Sequence, residues 1–183
     1  MIFPSRALAL TLLVAAPICC NADDDPDCFA DEVEAHVLEQ FGTYGPLSAD
    51  REYFGFVFRL DGVIASAVSR GSLCRWTQAC EVDTGAAAAS IPKGAKVLGE
   101  WHTHPHATGS QALSPEDVRG ANRNLRIRCY RAFFSMSNGE IHSWNPAATF
   151  VPAAMASSIR LGNYRQRVAP LQRADATLAT RLR

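Results

Sequence analysis

Apolar residues fall along this chain in two rhythms. Ala30, Val33, Val37 and Phe41 recur at helical spacing and predict a helix over Ala30–Phe41, ended by Gly42 and Gly45-Pro46. Glu52–Leu60 is rich in aromatic and β-branched residues and reads as a strand. Asp61-Gly62 is a hairpin signal, with Val63–Ser69 as the returning strand. Gly71–Gln78 reads as loop, and Ala86–Ser90 carries little periodic signal. Lys96–His104 predicts a strand, Ser114–Asn122 a helix and Ile127–Met136 another strand. Ser137-Asn138-Gly139 is a turn that returns the chain as Glu140–Trp144. Beyond Asn145-Pro146 the pattern weakens. This order predicts one α/β or α+β domain with a mixed sheet flanked by helices.

Composition narrows the partners. Hydrophobic residues make up 48% of the 183 and charged residues 20%, a globular balance. Eighteen basic residues offset eighteen acidic ones, so bulk electrostatics offers nothing to nucleic acid. The charge is uneven, however. Residues 23–29 form an acidic leader, and 151–183 form an Arg-rich tail with six arginines and one acid from Arg160 onward.

Met1–Ala22 reads as a secretory signal peptide, with Arg6 before an apolar run and small residues at its end. The run Ala7–Ile18 is 12 residues, short of the ~20 that span a bilayer. An amino-terminal anchor and a lipoprotein signal at Cys19 or Cys20 are the alternatives. Cleavage predicts a periplasmic or secreted chain with no membrane span. It also removes two of six cysteines and leaves Cys28, Cys74, Cys80 and Cys129. An even count in an exported chain suggests two disulfides, with three possible pairings. Pairing Cys74 with Cys80 closes a small loop and leaves Cys28 for Cys129. No C-x-x-C pair is present to favour a cysteine-ligated zinc.

The chemistry concentrates in Gly99-Glu100-Trp101-His102-Thr103-His104-Pro105 and the following Ser114-Pro115-Glu116-Asp117. Residues two apart on a strand share a face, so His102 and His104 can grip one ion. The next helix offers Asp117 as a third ligand. Two imidazoles and a carboxylate leave a fourth position open on tetrahedral zinc, the ligand set of a hydrolytic site. Taken alone, Ser114–Asp117 is also what a capped helix start looks like. The two readings are compatible.

These residues resemble the JAB/MPN, or JAMM, metalloproteases. That family's motif is an upstream Glu, then His-(Ser/Thr)-His-Pro, then Ser-x-x-Asp. His102-Thr103-His104-Pro105 and Ser114-x-x-Asp117 match it, with nine residues between His104 and Ser114 where the family usually has seven. The chain is similar to the small bacterial branch, also found fused to polymorphic toxins. The resemblance implies a single cytidine-deaminase-like JAB/MPN domain over 30–150. It implies that His102, His104 and Asp117 bind Zn2+, and that Ser114 stabilises the oxyanion. A general base is also needed. Glu52, on an earlier strand near Gly55, is the preferred choice. Glu100 is the competitor because it shares the histidines' face, and Glu81 is a more distant one. His106 is expected as an exposed loop residue, Trp101 and Trp144 as core aromatics, and His142 as structural.

The implied function is an exported zinc-dependent hydrolase of peptide or isopeptide bonds. A protein, a peptide or a peptidoglycan peptide would be its substrate. The alternatives are a non-catalytic binding module and a toxin or effector domain. A zinc deaminase would need a Cys-x-x-Cys pair, which is absent.

Overall fold

A computed structural model of the chain describes residues 31–74, 80–146 and 151–166. The predicted signal, the acidic leader and the end of the Arg-rich tail lie outside the described residues.

The fold is α+β, built on a mixed six-stranded sheet in the order β2-β1-β3-β4-β5-β6. Helix α1 (Asp31–Tyr44) buries Val33, Val37, Leu38 and Phe41. It runs through Gly42, where an added Cβ would meet nothing, and stops at Gly45-Pro46, where proline disfavours further helix. Strands β1 (Arg51–Leu60) and β2 (Val63–Leu73) form an antiparallel hairpin. Asp61 and Gly62 both have positive φ, 50° and 80°, as a tight two-residue hairpin turn requires. Helix α2 (Thr84–Ala89) starts at Asp83, whose side chain accepts from the Ala86 N–H at 2.9 Å.

Strand β3 (Lys96–Thr103) lies antiparallel to β1 and parallel to β4 (Arg131–Ser135). Helix α3 (Pro115–Asn122) makes that crossover. Strand β5 (Glu140–Trp144), helix α4 (Val151–Ser157) and strand β6 (Ile159–Asn163) complete the order. The fold therefore continues past residue 150, where the hydrophobic pattern weakens. β6 pairs with β5, and Tyr164 is buried in the core.

Three expected bounds shift. β2 runs on to Leu73, because Ser72 N–H donates to Glu81 O and Cys74 N–H to Asp50 O. β4 begins at Arg131 rather than Ile127. Residues 127–130 turn instead, with Cys129 at φ 68°. Ala86–Ser90 falls largely within α2, whose alanines carry no amphipathic signal.

Two cores flank the sheet. On one face α1 packs on Tyr53, Val57, Leu98, Trp101, Phe133 and Ile141. On the other, Val118 and Ala121 of α3 and Ala154 of α4 pack on Ala132, Phe134 and Trp144. Trp101 and Trp144 are core aromatics, as expected. Gly55 opens the first core: a Cβ there would sit 2.6 Å from the Trp101 indole. A β-bulge interrupts β3 against β1. Val57 opposes Gly99 while Phe58 opposes Val97, so Leu98 is the extra residue. Past the bulge, Glu100 and His102 lie opposite Phe56 and Phe54 on the α3 face.

Candidate metal centre

β3 supplies the histidines. His102 is its penultimate residue, and His104 follows its end, with the His104 N–H donating to Ser135 O at 3.0 Å. Both rings are buried. Between them Thr103 points to the other side and is fully buried. Its hydroxyl oxygen accepts from the Tyr53 N–H at 2.9 Å and lies 2.6 Å from Ser48 Oγ. This side-chain bond clamps β1 to β3 one residue after Glu52.

α3 supplies the carboxylate. Ser114 is its N-cap and Pro115 opens the first turn. Ser114 Oγ accepts from the Asp117 N–H at 3.1 Å, and Asp117 Oδ2 accepts from the Ser114 N–H at 2.6 Å. The capping box thus aims the Asp117 carboxylate back at the strand. Oδ1 lies 3.7 Å from His102 Nε2, Oδ2 lies 3.5 Å from His104 Nε2, and the two Nε2 atoms are 3.2 Å apart. Ligand atoms of these three residues all lie within 4.8 Å of one another, a group that could hold a metal ion.

The donor set fits a divalent ion. Two nitrogens bound at 2.0–2.1 Å to a tetrahedral ion lie about 3.3 Å apart, close to the separation here. Burial lowers His102 to about 4, so its ring is neutral at pH 7 and presents a lone pair. Burial alone would raise the Asp117 carboxyl. The neighbouring histidines and the Ser114 N–H outweigh it and hold Asp117 well below the usual carboxylate range. Neutral imidazoles with an ionised carboxylate are the protonation states that metal binding requires.

Both candidate bases reach this site. Glu52, Glu100, His102 and Asp117 line one cleft of about 630 Å³ on the α3 face. Burial raises Glu52 to about 7, with His104 pulling it down and Asp117 pushing it further up. The Glu52 carboxyl makes no hydrogen bond among the described residues. Glu100 is also raised to about 7 by burial, but its Oε2 is held by the Tyr130 hydroxyl at 2.5 Å and faces Asn124 Nδ2 at 3.5 Å. Glu81 lies exposed at the cleft mouth, beside Cys80.

Other predicted residues fall elsewhere. His106 is half-buried rather than exposed. Backbone bonds from His106 and Ala107 to Ser48 and Ala49 dock its turn, and its Nε2 contacts the Tyr164 hydroxyl. His142 stacks on Phe134 and contacts Ser158. Cys74 is bonded to Cys80. Cys129 is disulfide-bonded too, and its expected partner Cys28 lies outside the described residues. Among the described residues no helix is long and apolar enough to cross a membrane.

Tyr130 and Asn124, which hold Glu100, carry no signal in the sequence. Thr103 does carry one: it is a polar residue on an inward strand position. Comparison of this chain with protein families, with curated proteins and with solved structures returns no match.

Proposed function

We propose that this chain is an exported zinc-dependent hydrolase of amide bonds, related to the JAB/MPN metalloproteases. The observation that carries the reading is the buried convergence of His102, His104 and Asp117 beside an unpartnered Glu52. His102, His104 and Asp117 would hold the ion. When bound, zinc supplies Lewis acidity and acidifies water at its open coordination position.

The chain's own residues supply the rest. Glu52 takes a proton from the attacking water and delivers it to the leaving amine. Its raised affinity for protons suits a group that must both accept and give one near neutral pH. Ser114 spends an acceptor site on Asp117, which leaves its O–H free to donate to the carbonyl oxygen as charge develops there. Glu100 is less suited to the base role, because Tyr130 and Asn124 already engage its carboxylate. The Cys74–Cys80 disulfide supports an oxidising compartment, in keeping with export. A non-catalytic module would have no need of a free carboxyl beside the ligand set.

The test is hydrolysis by zinc-loaded wild type and Glu52→Ala on peptidoglycan fragments and isopeptide-linked proteins. Cleavage by wild type alone supports the reading. Equal cleavage by both proteins moves the base elsewhere, and no cleavage of any amide by zinc-loaded wild type refutes hydrolysis.

A further inference from the structure

The cleft extends well beyond the ligand set, and its far end has its own chemistry. Phe54 and Phe56 form an edge-to-face pair with ring centres 4.9 Å apart on the strand that carries Glu52, and both line the cleft. α2 and the segment before it make one bank, and α3 makes the other. Most charges in the cleft are committed. Asp117 belongs to the ligand set, Glu100 is bonded to Tyr130, and Glu116 is paired with Arg119. Arg123, at the carboxyl end of α3, is exposed to the cleft and makes no ion pair among the described residues.

Gly120 lies between Asp117 and Arg123 on the same bank. Glycine is the least favourable residue after proline inside a helix, and this helix has only eight residues. Packing does not demand it, because a Cβ at 120 would meet no atom within 4 Å. It keeps the wall of the cleft bare. Asp117 and Arg123, the C-cap, are six positions apart, about 9 Å along the helix axis. An extended peptide covers that in two to three residues at ~3.3 Å each.

We infer that the cleft takes an extended peptide segment that runs along α3 past Gly120, with a free carboxylate two or three residues from the scissile amide bound by Arg123. This rests on the hydrolase reading and deepens it by naming a substrate class: short chains or chain ends with a terminal carboxylate. Arg123 is the specificity-determining residue, since a guanidinium forks onto a carboxylate in a way that a carboxamide cannot match.

The probes are N-acetyl-tetraalanine as its free acid and as its carboxamide, titrated calorimetrically into the zinc-loaded full chain. The acid binds at least tenfold more tightly than the amide. Arg123→Ala removes that difference, and Arg123→Lys restores part of it. Gly120→Ala weakens both peptides while raising the melting temperature by a few degrees, a combination that a merely structural glycine would not give. Equal binding of acid and amide, no binding of either, or an undiminished preference in Arg123→Ala overturns the inference. Hydrolysis of the same peptides is followed separately. Acid-selective binding without cleavage of any amide defeats the hydrolase reading alone. Cleavage indifferent to the end group defeats the Arg123 assignment alone.

Discussion

The Nε2 atoms of His102 and His104 face one another at 3.2 Å, with an Asp117 oxygen within 3.7 Å of each. Only one proton fits across that gap. A cation would satisfy both lone pairs and the carboxylate at once.

Metal content follows directly. Purified wild type is expected to hold about one zinc per chain by elemental analysis, and His104→Ala and Asp117→Ala to hold none. Zinc at a hundred times its dissociation constant should add about 2.7 kcal/mol to stability, removed by chelation. Zinc-free wild type under saturating zinc would refute the site.

Glu52→Gln separates chemistry from binding. Zinc content is expected to stay at the wild-type level, while hydrolysis falls by roughly 10²–10⁴, the usual scale for a general acid–base group. Full activity in this variant would turn attention to Glu100.

Glu100 makes a pH prediction for the metal-free protein. Burial holds its folded value at about 7, above the ordinary 4.5. A raised carboxyl stabilises the fold most at low pH, and that contribution is lost as pH rises from 4.5 through 7. Glu100→Gln removes the titration and leaves an acceptor for Tyr130. Chemical unfolding at about pH 4 should find the two proteins similar. At about pH 8 the variant should be more stable by on the order of 3 kcal/mol, given ~1.4 kcal/mol per pH unit. A difference that does not vary with pH would remove Glu100 as the source.

Thr103→Val should cost about 1–3 kcal/mol in chemical unfolding, because it strands the buried Tyr53 N–H, while the Ser48 hydroxyl keeps the Tyr44 carbonyl as its acceptor. Thr103→Ser keeps the oxygen and should recover most of that loss. Equal losses in both variants would assign the effect to packing alone.

The Cys74–Cys80 link closes a loop of six residues' separation, worth about 2 kcal/mol by loop entropy. Cys74→Ser/Cys80→Ser should lower stability by that order and leave the remaining cysteines oxidised. Thiol counting by mass spectrometry checks both outcomes.

Local pattern made much of the fold legible. α1, the β1–β2 hairpin, β3, α3 and β5 each carry periodicity or turn chemistry in their own residues. α2 was not legible, because alanines have no face to mark and its cap is one aspartate. α4 and β6 were not, because β6 is an edge strand whose residues are exposed or half-buried, and alternation needs a buried side. The turns at 127–130 read as strand from their side chains, although their backbone is held by local bonds from Ile127 N–H to Asn124 O and from Tyr130 N–H to Ile127 O. At the site, the ligand set could be read from strand spacing and a capping box. The hold of Tyr130 on Glu100, across 30 residues, had no such marker.

The bulge at Leu98 determines which side of the sheet can do chemistry. Were Leu98 paired into the ladder instead of bulged out of it, continuous pairing from Lys96 with Arg59 would set Glu100 against Gly55 and His102 against Tyr53. The histidines would then turn into the α1 core, away from Asp117. Deleting Leu98 would close the bulge and keep His102 opposite Phe54, whereas pairing Leu98 into the ladder would leave the motif intact as a string of letters and dismantle it as a site.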